Sequence, residues 1–184
     1  VTMTPTEEII FCDIDPSQKA QIEAHFAKHK IKLAEEHTSL ELNFMTCVSL
    51  PTCAKALAES ERVQFPMVDS IQEVMNQHGV GHEKISVRVT GCPNGCGRPF
   101  IAEIGFVGRN PGKYNVYLGG GFFGQRLNKI YKESIPGEEI KPLLTPIIER
   151  YAKERNDGER FGDFVIRAGY VKATTAGNNF HELS

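Results

Sequence analysis

The sequence predicts an α+β fold in which a mixed β-sheet is flanked by helices. Apolar residues make up 40% of the 184 residues and charged residues 24%, a balance typical of folded globular chains. Runs with strand composition follow one another through the middle of the chain, and helix-forming runs lie on either side of them. We expect a small unit over residues 1–40 and the main domain over residues 41–184.

The first forty residues are expected to form part of a small α+β unit. Residues 7–14 are apolar and partly β-branched, which indicates a strand. Residues 15–18 read Asp-Pro-Ser-Gln, which supplies an N-cap, a first-position proline and a glutamine for the start of a helix. Ile22 and Phe26 give that helix an apolar stripe. One strand and one helix bury little surface, so we expect the rest of this unit to lie elsewhere in a longer polypeptide.

The helices and strands of the main domain are predicted from residue composition and from the glycines and prolines that bound each run. Helices are predicted over residues 54–62, 70–78 and 138–155. Strands are predicted over residues 84–89, 100–107 and 113–118, each bounded by glycine or proline. Residues 161–169 have a composition that fits a strand or a helix. Pro142 and Pro146 predict a kink or a late start in the last helix.

The charge pattern excludes several classes of partner. The net charge is −2, and acidic and basic residues are mixed along the chain, so no basic patch for nucleic acid is expected. No apolar run reaches the length of a membrane span, and no secretory signal opens the sequence. We therefore expect a cytoplasmic protein without a membrane or nucleic-acid partner.

Four of the five cysteines form two close pairs, Cys47 with Cys53 and Cys92 with Cys96. Clustered cysteines in a cytosolic chain indicate metal binding more often than disulfides. Four thiolates can hold tetrahedral zinc or a 4Fe–4S cluster, and spacing alone leaves both open. Neither pair has the two-residue gap of a zinc knuckle, which favours the larger cluster. Cys12 stands alone in an apolar run and is expected to be a small core residue without a role.

The residues around the two pairs suit a metal cluster. Glycines and prolines are expected to place the thiolates on turns where bare backbone can approach an inorganic core: Pro51, Gly91, Pro93, Gly95 and Gly97. Cys53 lies at the predicted start of the helix over residues 54–62. The positive end of that helix would stabilise an anionic cluster.

These residues closely resemble the signature of the siroheme-containing sulfite and nitrite reductases. The matching runs are CVSLPTC (47–53), AESER (58–62), VTGCPNGCGR (89–98), AEIGFVG (102–108), YN (114–115), LGG (118–120), FGDF (161–164) and RAG (167–169). The resemblance covers the whole chain and is most specific between Met45 and Gly120. Residues 95–98 and 107–109 resemble the assimilatory, NADPH-dependent sulfite reductase hemoproteins more than the nitrite reductases.

The resemblance implies a role for each site residue. It implies that a 4Fe–4S cluster is ligated by Cys47, Cys53, Cys92 and Cys96. It further implies that the Cys96 sulfur is also the axial ligand of the siroheme iron, which makes Cys96 the catalytic residue. Arg88, Arg98 and Arg109 are candidates for the siroheme carboxylates, since arginine pairs with carboxylates in a bidentate manner. A structural or surface ion pair is the competing interpretation for each arginine.

The family's fold and activity follow as expectations. Residues 41–184 would form a siroheme and 4Fe–4S domain of the sulfite reductase type, and residues 1–40 the end of a ferredoxin-like half-domain. The whole enzyme would reduce sulfite to sulfide by six electrons in sulfur assimilation and cysteine biosynthesis. Its implied partners are the rest of the hemoprotein and an NADPH-dependent flavoprotein. In the family, most cations around sulfite lie in the other half, so we expect the isolated chain to lack catalytic competence.

Two alternatives remain at this point. The first is a nitrite reductase of the same family, because the pocket that selects the substrate lies largely outside these residues. The second is a non-catalytic zinc-binding module. Iron and acid-labile sulfide analysis would separate the second from a cluster-bearing protein.

Overall fold

The computed structural model describes residues 1–183, which divide into two compact units, one over Val1–Thr38 and one from Ser39 onward. The first unit pairs β1 (Thr2–Met3) with β2 (Ile9–Ile10) in antiparallel fashion and continues into α1 (Lys19–Lys28). The predicted N-cap is confirmed, because the carboxylate of Asp15 accepts a hydrogen bond of 2.8 Å from the backbone N–H of Ser17.

The predicted strand over residues 7–14 is only two residues long in the structure. Cys12 is exposed, so the prediction that it is a core residue is wrong. No residue of α1 is buried, and the assignment of this unit to a ferredoxin-like half-domain stays a prediction.

The second unit contains a five-stranded mixed sheet in the order β3-β4-β5-β6-β7. The strands are β3 (Phe44–Thr46), β4 (Val87–Thr90), β5 (Ile104–Asn110), β6 (Lys113–Leu118) and β7 (Lys129–Pro136). The first three lie parallel to one another, and the last three form an antiparallel meander. The predicted mixed sheet is therefore confirmed.

Three helices cover one face of this sheet: α2 (Gln64–Gln77), α3 (Ile140–Glu154) and α4 (Phe161–Arg167). Because strand side chains alternate between faces, one set of residues packs against the helices and the other points away. The face against the helices, here the helix face, carries Phe44, Val87, Val89, Ile104 and Phe106. The opposite face, here the site face, carries Met45, Arg88, Thr90, Val107 and Tyr117.

Several predicted elements are confirmed with shifted bounds. The second predicted helix begins six residues earlier, at Gln64, and ends before Gly79, whose φ is 76°. The last long helix begins at Ile140 after a 3₁₀ turn, which agrees with a late start. Of the ambiguous residues 161–169, Phe161–Arg167 form the helix α4.

The predicted helix over residues 54–62 is wrong. These residues form turns and bends, and the only helical piece there is a 3₁₀ turn at Glu61–Val63. The strand expected from residue 100 begins at Ile104, because Pro99–Ile101 form another 3₁₀ turn.

Glu103 ties the sheet to α4. Its buried carboxylate accepts hydrogen bonds from the backbone N–H groups of Ser86 and Gly162, both at 2.9 Å. Burial raises the pKa of Glu103 to about 7, although these hydrogen bonds and the nearby Arg160 act in the opposite direction. Within residues 1–183, no helix is long and apolar enough to cross a membrane.

Candidate metal-cluster site

The two cysteine pairs lie at one edge of the sheet because β3 and β4 are parallel neighbours. Thr46 is in register with Val89, so Cys47 and Gly91 follow directly at the carboxyl ends of adjacent strands. Parallel strands that end at the same edge bring their following loops together. The strand β3 was not predicted, so this proximity emerges only from the folded chain.

The two cysteine loops contact each other through the first thiol. The backbone N–H of Gly91 donates to the sulfur of Cys47 at 3.3 Å, and the hydroxyl of Thr90 lies 3.5 Å from the same sulfur. The N–H of Cys47 donates in turn to the carbonyl of Val89 at 3.2 Å. The loop that carries the second cysteine pair therefore contacts the thiol of Cys47 directly.

Two of the predicted glycines are required by close backbone approach. A Cβ at Gly91 would overlap the hydroxyl of Ser49 and the carbonyl of Ala58. A Cβ at Gly97 would overlap the carbonyl of Val89. Any side chain at these positions would push the neighbouring segments apart, so packing within the protein requires glycine here. The approach of this bare backbone to an inorganic core stays a prediction.

The segment that was predicted to be a helix covers the second loop instead. The N–H groups of Leu57 and Ala58 both donate to the carbonyl of Gly91, at 2.8 and 3.0 Å. The buried hydroxyl of Ser60 donates to Val89 at 2.9 Å, and the hydroxyl of Ser49 donates to Ala58. These contacts take the backbone out of a helix, so the expected helix dipole at Cys53 is not available to a cluster.

The four thiols differ in exposure and do not converge on one point. Cys92 is buried, Cys47 and Cys53 are half-buried, and Cys96 is exposed. Among residues 1–183, no group of three or more histidine, cysteine, aspartate or glutamate side chains could hold a single metal ion. Four cysteine thiols are a donor set that fits a 4Fe–4S cluster.

Two of the three candidate arginines lie side by side below the cysteine loops. The guanidinium of Arg88 lies 3.5 Å from the carbonyl of Arg98, and that of Arg98 lies 3.3 Å from the sulfur of Met45. Burial, followed by the neighbouring charge of Arg98, lowers the pKa of Arg88. Two half-buried guanidinium groups that interact electrostatically are candidates for contact with an anion.

Arg109 has a different setting from the other two arginines. It is exposed near the end of β5 and lines a cavity of about 270 Å³ together with Pro93, Tyr117 and His181. The structure therefore pairs Arg88 with Arg98 and places Arg109 in a separate surface depression beside the second cysteine loop.

Comparison with known proteins gives a family and several relatives. Residues 39–176 match the family described as the nitrite and sulphite reductase 4Fe-4S domain. NADPH sulfite reductase hemoprotein beta-components are 49% identical in Geobacillus kaustophilus, 48% in Bacillus velezensis and 47% in Staphylococcus epidermidis. These matches cover 97–98% of this chain and 31–32% of each relative. The chain thus spans about a third of the length of the relatives it matches.

A solved structure shares the fold. The NirA protein of Mycobacterium tuberculosis superposes with a TM-score of 0.75 over 91% of this chain and 32% of that chain. Sequence identity in this match is 23%, so the likeness concerns the fold alone. It agrees with the predicted α+β architecture of a mixed sheet and flanking helices.

Proposed function

The chain belongs to the nitrite and sulphite reductase 4Fe-4S domain family, and we propose that it is the cluster-bearing part of a sulfite reductase hemoprotein. The observation that carries this proposal is the direct contact of the two cysteine loops at one sheet edge, where the N–H of Gly91 donates to the sulfur of Cys47. The names of the 47–49% identical relatives support sulfite as the substrate.

In this proposal, a 4Fe–4S cluster is held by Cys47, Cys53, Cys92 and Cys96. The bound cluster would supply one-electron transfer. The chain's own contribution is to hold four thiolates at the sheet edge and to direct the Gly91 N–H at one of them. Donors to a cluster sulfur raise the reduction potential, because they stabilise the more negative reduced state.

Siroheme is the second proposed cofactor, with the sulfur of Cys96 as its axial ligand. Two observations support a neighbouring large group: the Cys96 thiol is exposed, and the site face carries Arg88 beside Arg98. The siroheme carboxylates would neutralise this cation pair through charge-assisted hydrogen bonds. Arg109 is proposed as a further carboxylate contact from the other side of the second cysteine loop.

The wider activity is proposed from the relatives. It is the six-electron reduction of sulfite to sulfide in sulfur assimilation and cysteine biosynthesis, with electrons from an NADPH-dependent flavoprotein. A cytoplasmic setting belongs to the same proposal, because five free cysteines suit a reducing compartment. Since the chain spans a third of its relatives, we expect no sulfite reduction from these 184 residues alone.

Spectra of the full-length protein that carries this chain test the proposal. We expect the absorption of siroheme and an EPR signal that shows it magnetically coupled to the cluster. The variant C96S should abolish the coupling, whereas C12S, which changes an exposed cysteine in the other unit, should leave it intact. A purified protein with zinc and no siroheme absorption would overturn the proposal.

A further inference from the structure

A cluster of aromatic rings lies on the site face of the sheet, below the second cysteine loop. Val107, Tyr117 and Ile130 are buried there, and Phe100 and Phe180 pack against them. Phe180 belongs to the carboxyl-terminal tail of the chain, far in sequence from the cysteines. The tail therefore reaches the same part of the sheet that carries the candidate site.

Two hydrogen bonds attach this tail to the sheet. The backbone N–H of Ile130 donates to the carbonyl of Phe180 at 2.9 Å, beside β7. The hydroxyl of Tyr117 and Nδ1 of His181 lie 2.9 Å apart in a second hydrogen bond. Both bonds join tail residues to strands that are themselves anchored in the sheet, so the tail is held at a defined place.

Phe100 is the point where the tail rings meet. Its ring packs edge-to-face on Phe180, with centroids 5.0 Å apart, and on His181, with centroids 5.6 Å apart. It also packs edge-to-face on Tyr117 at 5.3 Å. Edge-to-face packing is the favourable arrangement for such rings, so three partners fix the position of the Phe100 side chain.

The other side of the Phe100 ring supports the cysteine loop. A Cβ built on Gly95, between Cys92 and Cys96, would lie 3.0 Å from Cε2 of Phe100. The ring therefore sits directly against the backbone of the turn, which has a positive φ of 69° at Gly95. An unbroken series of contacts runs from the tail through Phe100 to the loop that presents two of the thiols.

We propose that Phe180 and His181 form a clamp that positions the Cys92–Cys96 loop through the ring of Phe100. They are positioning residues, because they act on the loop through their contacts with Phe100, Tyr117 and Ile130. The importance of this loop rests on the proposed function, but the clamp itself is a property of the metal-free chain. Cys92 is only 7% exposed, so lifting of its loop would make its thiol more accessible to reagents. The clamp sets how often that happens.

Site-resolved alkylation of the reduced, metal-free chain tests the clamp. The rate at each cysteine is measured by mass spectrometry after short pulses of iodoacetamide. In F180A we expect the Cys92 rate to rise about tenfold, because the Phe100 ring loses one partner and the tail loses its apolar contact with the sheet. The Cys47 rate should change less than twofold. The matched control is F123A, which removes a ring that is 81% exposed and should leave every rate unchanged.

Further variants separate positioning from general destabilisation. F180Y keeps the ring and should restore the normal Cys92 rate. Y117F removes only the hydroxyl of the Tyr117–His181 hydrogen bond and should raise the Cys92 rate about threefold. H181A also removes a ring that packs on Phe100, so it should raise the rate more, and adding Y117F to H181A should change it little further. Equal increases at Cys47 and Cys92, or an unchanged Cys92 rate in F180A, would overturn the clamp. Since no cluster is present, this outcome is independent of whether the chain binds iron and sulfide.

Discussion

The helix face and the site face of the sheet are built from opposite kinds of residue. The helix face packs against three helices and forms the large apolar core. The site face carries a small apolar cluster of Val107, Tyr117 and Ile130 together with the half-buried Arg88. The difference shows that the helix face holds most of the apolar core, whereas cations, bare glycine backbone and thiols lie on or beside the site face. Substitutions on the two faces should therefore have different consequences.

The largest loss of stability is expected from F106A on the helix face. Phe106 is fully buried in the large core, so its removal should lower the free energy of unfolding by about 3–5 kcal/mol. Urea unfolding measures this loss. A matched truncation on the exposed surface, F123A, should cost under about 0.5 kcal/mol. A loss below 1 kcal/mol for F106A, on the scale of surface substitutions, would remove the distinction between the faces.

Glu103 should make stability depend on pH. Burial raises the pKa of Glu103 in the folded chain to about 7, from an ordinary value of 4.5. Between these values the folded state binds more protons than the unfolded state, so stability falls as pH rises through this window. One such group contributes at most about 1.4 kcal/mol per pH unit.

The variant E103Q is the test of this pH dependence. It cannot titrate, so its free energy of unfolding should be flatter than that of the parent chain between pH 4.5 and 7. Urea unfolding of both proteins at several pH values makes the comparison, and the difference between the two profiles isolates the contribution of Glu103. Parallel pH profiles for the two chains would contradict the assignment.

On the site face, G91A should separate stability from metal binding. The added methyl group would overlap Ser49 and Ala58, which forces the two cysteine loops apart. We expect a modest loss of about 1–3 kcal/mol in unfolding free energy. The iron content after reconstitution should fall by more than the small increase in the unfolded fraction would cause. The control G177A adds a methyl group in open space and should change neither quantity.

The variant R88M should change the free energy of unfolding least, and it should raise this free energy where the other variants lower it. Removing one of two adjacent half-buried cations should stabilise the metal-free chain slightly, by about 0.5 kcal/mol after allowance for solvent screening. The same change should weaken siroheme retention in the full-length protein. Thermal unfolding and siroheme absorption measure the two effects. Lower stability together with full siroheme retention would show that Arg88 serves the fold and not a cofactor.

The sequence predicts the regular elements better than the connections around the site. Strand β6 is predicted to the residue, because Lys113–Leu118 is bounded by turn residues on both sides. Strand β3 has only three residues and gives no periodic signal. Strand β7 is missed because register shifts against β6 break its alternation.

The candidate site also has some features that the sequence predicts and others that it does not. The cysteines and the glycines beside them are visible as a pattern and as a family resemblance. The contact between Gly91 and Cys47 cannot be predicted from the sequence, because it depends on the parallel register of β3 and β4. Residues 54–62 have helix-forming composition, but hydrogen bonds to Gly91 and Val89 override that local preference. Tertiary contacts at a site are where local sequence rules are least informative.

Iron and acid-labile sulfide content after anaerobic reconstitution tests the central claim most directly. The parent chain should bind about four of each per chain, as a 4Fe–4S cluster requires. The variants C47S, C53S, C92S and C96S should each bind much less or an unstable cluster, while C12S should match the parent. One zinc per chain without sulfide, or a C12S variant as defective as the other four, would contradict the claim that these two loops form a cluster site.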